Sequence, residues 1–230
     1  MAGRIAYYGG IVTNGLVLAL DAAKKDSYPG SGTVWRDISG NGNNGTLTNG
    51  PTFNSNNGVS IVFDGVNDYV NLGNPSTLSL STSITLSTWI NSTTLFNTQN
   101  FPPFIIKGVN VSYMLFGNSS TNQVRIRIGG NIASNVVDSV ATISAGVWYN
   151  VVGTYDGNDM KIYINGTLDN QKVRVGTIPT GSDNIFMGFN PSGESIRYNG
   201  RISNTSIYNR ALSATEVLQN YNATKGRYGL

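Results

Sequence analysis

Residues 37–45 read Asp-Ile-Ser-Gly-Asn-Gly-Asn-Asn-Gly. Oxygen-bearing side chains stand at alternate positions, Asp37, Ser39, Asn41 and Asn43, and Gly42 is sixth counting from the aspartate. This is how the front half of a helix–loop–helix calcium loop reads, where carboxylate, hydroxyl, amide and carbonyl oxygens surround the ion. The bidentate glutamate that finishes such a loop at position twelve is replaced here by Thr48. One carboxylate carries too little charge for tight calcium binding unless another strand lends a second, and Asp64 and Asp68 are the available donors. The alternative is a glycine-rich turn in which Asp37 and the asparagines hydrogen-bond their own backbone. Asp64-Gly65 followed by Asn67-Asp68 reads the same way, as a tight turn whose acids are structural.

Other chemistry is narrowed by what the chain lacks. It has no His and no Cys. That removes the commonest general base, the Ser-His-Asp triad, thiolate nucleophiles, disulfides and the usual zinc ligands. Glycoside hydrolysis usually needs two carboxyl groups facing across the scissile bond. The only glutamates are Glu194 and Glu216, and Glu216 stands where a helix cap needs it. Aspartate pairs remain open for that role.

Charged residues make up 12% of the 230 residues, against 39% hydrophobic. A core of ordinary size is therefore available, but the polar surface must come from Asn, Ser, Thr and Gly. Such a surface suits neutral polar ligands or close packing against partners. The net charge is +3, with Lys and Arg scattered, so nucleic-acid recognition is not expected. No apolar run approaches the length of a membrane span. Gly9-Gly10 and Thr13-Asn14-Gly15 break the apolar stretch near the start, so residues 1–14 are expected to be an arm rather than a signal peptide. Tyr7, Tyr8 and Ile11 are its candidate anchors to a partner subunit; a frayed terminus is the alternative. Glycosylation sequons begin at Asn44, Asn91, Asn110, Asn118, Asn165, Asn204 and Asn222. Their density follows from the wealth of Asn and suits a source outside the eukaryotic secretory route.

The elements that must position these groups are mostly strands. Leu16, Leu18 and Leu20 alternate, as do Ile84, Leu86 and Ile90, and Val124, Ile126 and Ile128. Residues 147–155 run into Asp156-Gly157, and residues 160–164 run into Asn165-Gly166, which predicts a three-stranded meander. Further strands are expected at 185–189 and 200–208. Ser213-Ala214-Thr215-Glu216 is a capping box and predicts one short helix with Val217, Leu218 and Tyr221 on its apolar face. Trp89 and Trp148 lie inside strand patterns and read as core, while Trp35 is open to either reading. Phe101-Pro102-Pro103-Phe104 reads as a loop, and an exposed pair of rings there would suit a partner surface. Many strands and one helix predict an all-β, antiparallel two-sheet sandwich.

Five segments in order carry a resemblance. They are Gly15-Leu16-Val17-Leu18 with residues 35–45, then Phe63-Asp64-Gly65-Val66-Asn67-Asp68-Tyr69-Val70, residues 83–90, residues 148–157, and Ile207-Tyr208-Asn209-Arg210-Ala211-Leu212-Ser213. Together they resemble the laminin-G-like branch of the concanavalin A-like lectin/glucanase jelly rolls, over residues 15–224. The resemblance implies a jelly roll in which calcium and glycan binding occur. Some relatives are glucanases with a Glu-x-Asp-x-x-Glu strand, and neither glutamate here sits in such a pattern. In laminin-G-like relatives an Asp-Glu pair often precedes the closing segment; Ser203 and Asn204 stand near that place. The short start, the spacer at 26–33 and the ending at 225–230 also resemble virion proteins of tailed bacteriophages. That narrower likeness implies a non-catalytic protein on the virion surface, assembled in the bacterial cytoplasm. It also implies other virion proteins as partners, host or environmental glycans as ligands, and a homo-oligomer.

Overall fold

The computed structural model describes residues 10–108, 112–130, 132–191 and 196–230. Tyr7, Tyr8 and Glu194 lie outside the described residues. The first half of the chain forms β1 (Leu16–Asp21), β2 (Val34–Trp35), β3 (Gly45–Thr48), β4 (Thr52–Asn54), β5 (Ser60–Asp64), β6 (Tyr69–Gly73), β7 (Ile84–Ser92) and β8 (Pro103–Lys107). The second half forms β9 (Tyr113–Asn118), β10 (Gln123–Ile128), β11 (Val136–Thr142), β12 (Trp148–Tyr155), β13 (Asp159–Ile164), β14 (Thr167–Val173), β15 (Ile185–Met187) and β16 (Asn199–Tyr208). A helix, α1 (Ala214–Thr224), and a 3-10 turn at Lys225–Tyr228 follow.

The strands make two antiparallel sheets. One runs β14-β13-β12-β7-β16-β5-β4, with β1 also paired to β16; the other runs β11-β10-β9-β8-β15-β6-β3-β2. The meander β12-β13-β14 forms as the turn residues require. Ile164 pairs with Thr167 across Asn165 and Gly166, both at positive φ, as a two-residue hairpin turn needs.

Period-two alternation sends one face of each sheet into a shared core. Leu86, Ile90, Val151, Ile162, Ile202 and Ile207 meet Val70, Ile105, Leu115, Val124, Ile126 and Met187 there. At Gly153 the facing sheet comes close enough that a Cβ would stand 2.5 Å from Ile126 Cδ1. That position has room only for hydrogen.

The outer face of the first sheet is covered by the C-terminal segment. Ser213 accepts from the Glu216 N–H while the Glu216 carboxylate accepts from the Ser213 N–H, so the expected capping box is present. Val217 packs with Val152, Tyr163 and Leu212. Leu218, expected on the same face, points to solvent with 44% of its surface exposed. The helix turns its 217–220–224 side to the sheet, which leaves 218 off to one flank. Trp89 and Trp148 are buried as expected, but beneath this segment together with Tyr228 rather than between the sheets. Residues 225–230 carry Tyr228 into this buried cluster.

The Phe101–Phe104 expectation fails in a specific way. Pro103 opens β8, a strand position that tolerates proline, and Phe104 is fully buried in the core. Phe101 is half-buried against the Phe116 ring, 6.2 Å away between centroids. No exposed pair of rings results.

Candidate functional site

The 37–43 loop has a clear local role. Asp37 Oδ1 accepts from the N–H groups of Ala19 and Ser39, both at 2.9 Å. Asp37 Oδ2 accepts from Ser39 Oγ and from the Asn43 N–H, also at 2.9 Å. Asn43 Nδ2 donates to the Val17 carbonyl at 2.7 Å, Asn41 Nδ2 to the Leu16 carbonyl at 3.3 Å, and the Ile38 N–H to the Ala19 carbonyl at 2.9 Å. These partners all lie on or beside β1, whose other edge pairs with β16. The loop thus satisfies backbone groups along the free edge of β1 with side chains, where another strand would otherwise do so.

The four residues expected to hold calcium are indeed brought together, but around Asp37 as a hub of hydrogen bonds. Both carboxylate oxygens already accept two donors each, which occupy the lone pairs an ion would need. Asn43 Oδ1 accepts from Thr77 Oγ1 at 2.9 Å. The donor set as placed does not fit a calcium ion. Among the described residues, no group of three or more acidic side chains gathers anywhere as a metal site.

The other acids are engaged in the same way. Asp68, buried, accepts from the Asp64 N–H, and Asp64 accepts from Val66 and Asn67. Burial pushes the Asp68 carboxyl up, with the Asp64 N–H opposing the shift and the Asp64 charge adding to it. Glu216 meets Arg210 bidentately at 2.6 and 2.9 Å. That guanidinium, with help from the Ser213 donors, holds its carboxyl down to about 2 against partial burial. These carboxylates are occupied by a turn and by a helix cap.

A cleft of about 460 Å³ at one end of the sandwich is lined by Gly65, Thr94, Thr98, Gln99, Asn100, Arg197 and Asn199. A second depression shares Thr98, Gln99 and Asn100 and adds Asn97 and Ser119. The loop between β7 and β8 that builds both is pinned from below. Phe96 is buried and lies flat on Gly117, where a Cβ would come within 2.6 Å of its ring. The Gln99 amide donates to Ser92 Oγ at 3.0 Å and to Thr94 Oγ1 at 3.1 Å, while its oxygen accepts from the Asn199 N–H at 2.9 Å. Phe101 is held at φ 44°, a left-handed conformation a bulky residue rarely adopts. With Gln99 committed to the floor, Asn97, Thr98 and Asn100 stand exposed on the rim.

An aromatic cluster adjoins this cleft. Tyr69, Phe186 and Phe189 are each half-buried and touch one another, with centroids 5.3 to 5.8 Å apart. The Arg197 guanidinium lies over the Phe189 ring at 3.9 Å and also lines the cleft. Amides, hydroxyls, a cation and apolar rings thus meet at one place. None of these residues was singled out from the sequence as a ligand contact. Tyr69 and Phe186 are legible as outward positions of alternating strands, but Thr94–Asn100 looks like any polar loop.

Two stacked antiparallel sheets, a C-terminal helical cover and polar clefts between the connecting loops define a jelly-roll domain of the lectin type. The chain belongs to the concanavalin A-like lectin/glucanases superfamily, whose Laminin_G_3 profile matches residues 64–218. No curated protein matches its sequence. Among solved structures it is similar to the binding domain of Paraclostridial Mosquitocidal Protein 1, with TM-score 0.72 and 17% identity over 92% of this chain and 52% of that one. It is also similar to domain 4 of AbnA, a GH43 extracellular arabinanase from Geobacillus stearothermophilus solved with arabinotriose. There the TM-score is 0.68 and the identity 19%, over 90% of this chain and 98% of that one. The botulinum neurotoxin DC binding domain in complex with SialylT aligns with TM-score 0.69 and 16% identity, over 93% of this chain and 52% of that one. The chain therefore spans about half the length of the toxin domains it matches. No described helix is long and apolar enough to cross a membrane.

Proposed function

We propose that this chain is a non-catalytic glycan-binding jelly roll that holds its ligand in the cleft lined by Thr94, Thr98, Asn100, Arg197 and Asn199. The observation that carries this reading is the junction of amide and hydroxyl side chains with the Tyr69–Phe186–Phe189 cluster through Arg197. A sugar presents hydroxyls around its rim and C–H groups on its faces. Amides match the first and aromatic rings the second. The fixed loop supports it, because groups already held in place lose little freedom on binding. The similarity to domain 4 of AbnA, solved with arabinotriose, and to a toxin domain solved with SialylT points the same way.

We further propose that the domain is displayed on the surface of a phage particle after assembly in the bacterial cytoplasm, as a capsid decoration protein or as part of a fibre. Its support is the resemblance of its start, its 26–33 spacer and its ending to virion proteins, and a surface with few charges. In this reading residues 1–14 fix it to other virion subunits through Tyr7 and Tyr8, and it assembles as a homo-oligomer. Ile11 has a second use, since it also lines a cavity under α1. Val140, Leu168 and Val173, exposed on the edge strands β11 and β14, offer apolar surface for that assembly. A free carbohydrate-binding module is the competing reading, favoured by the near-complete overlap with the arabinanase domain. Screening the intact protein on a glycan array tests the first proposal. Imaging purified particles for repeated copies of the domain tests the second, and absence from such particles leaves the free module.

A further inference from the structure

A separate cavity of about 150 Å³ lies on the outer face of the first sheet, beneath α1 and the turn that follows it. That is room for about one six-membered ring. Its floor is made by outward residues of β7, β12 and β16, among them Ser87, Trp89, Asn150, Asn204 and Ser206. Its roof is Gly10–Ile11, held down where Gln219 Nε2 donates to the Gly10 carbonyl at 3.0 Å and the Val12 N–H donates to Asn220 Oδ1 at 2.8 Å.

The polarity of this wall is unusual for a space between a sheet and its cover. An apolar helix face ordinarily meets apolar strand residues, as Val217 meets Val152 a short way along the same sheet. At the cavity the strands instead offer two hydroxyls and two amides. No side-chain hydrogen bond joins Ser87, Asn204 or Ser206 to another described residue, and no donor among the described residues reaches Asn150 Oδ1. Trp89, whose indole N–H donates to Thr224 Oγ1 at 2.9 Å, lines the cavity beside them. At the mouth Arg227 grips Asp21 at 2.7 and 2.8 Å, and Lys24 stands exposed near it.

We propose that this cavity is a second binding site, for a single small polyhydroxylated molecule of monosaccharide size. Such a molecule has several hydroxyls that can both donate and accept, which the unused serine and asparagine groups match, while Trp89, its ring already stacked on Tyr228, borders the space and reports on it. It differs from the loop cleft in being smaller, in lying on the outer face of the first sheet and in taking one ring rather than a chain, so it stands whether or not the cleft binds glycans.

The three tryptophan indole N–H signals report on it directly. Intact ¹⁵N-labelled protein is titrated in turn with glucose, galactose, arabinose and glucuronate. The expected result is that at least one sugar moves the Trp89 indole signal and leaves that of Trp35, which lies in the core between the sheets, in place. Ser206→Val fills the space with a side chain strands accept and should reduce the response at least ten-fold. Ser87→Ala should weaken it in a variant that removes only a hydroxyl. Asn100→Ala in the loop cleft should leave it unchanged. A Trp89 signal that none of these sugars moves, or a shift that survives both Ser206→Val and Ser87→Ala, overturns the proposal and leaves the cavity to ordered water.

Discussion

The ring of Tyr228 lies stacked on the indole of Trp89, with centroids 3.8 Å apart and the planes inclined by 18°. One residue belongs to the middle of a central strand, the other to the last turn of the chain. Tyr228 also donates to Ser203 Oγ at 2.8 Å and packs on Trp148 at 4.9 Å. Gly58, where a Cβ would come within 2.7 Å of the tyrosine ring, leaves the space it occupies. The C-terminal turn is thus a fitted part of the sheet's outer face.

Replacing Tyr228 with Ala should therefore destabilise the domain by about 3–4 kcal/mol, as expected when a buried aromatic is deleted and a cavity left. Urea denaturation followed by tryptophan fluorescence measures this. A loss below about 1 kcal/mol would mean the turn is only loosely applied.

The Asp37 hub makes a different prediction. Asp37→Ala removes the acceptor of four hydrogen bonds, two of them to loop N–H groups. The loss should be about 2–3 kcal/mol, in the range for bonds to a charged partner. It should be the same in calcium and in chelator when followed by thermal unfolding. A loss seen only in calcium would restore the ion-binding reading of this loop.

Glu216 predicts a pH dependence. Arg210 holds its carboxyl down to about 2, below the ordinary 4.5. A depressed carboxyl adds stability at pH above its unfolded value and loses it as pH falls toward the folded one. The wild-type protein should therefore weaken between about pH 4.5 and pH 2, and Glu216→Gln should weaken less over that window. Denaturant midpoints at a series of pH values provide the comparison, and parallel curves would deny Glu216 this role.

The strands, the meander and the capped helix were legible in the sequence because each rests on a local signal: alternation, an Asn-Gly turn, Ser213 three residues before Glu216. Asp37 and its neighbours were legible as a constellation but not as to purpose, since oxygen spacing alone looks the same to an ion and to a strand edge. The structure separates the two because it shows Leu16, Val17 and Ala19 as the partners. The Phe101–Phe104 stretch misled because paired prolines resemble a loop, although Pro103 stands at a strand start where no N–H is needed. The cleft was not legible at all. Thr94–Asn100 and Arg197 are about a hundred residues apart in sequence, and only the pairing of β7 with β16 brings their loops to one end.

Glycan binding in the Thr94–Asn100 and Arg197 cleft is measured by calorimetry with the best array ligand. Asn100→Ala removes an exposed rim amide and Phe189→Ala the ring on which Arg197 rests, both outside the inter-sheet core. A measurable affinity is expected in the wild type, reduced about ten-fold or more by each change, with thermal stability nearly unaltered in Asn100→Ala. Equal affinity in wild type and both variants would contradict it, and would move glycan recognition away from this end of the sandwich.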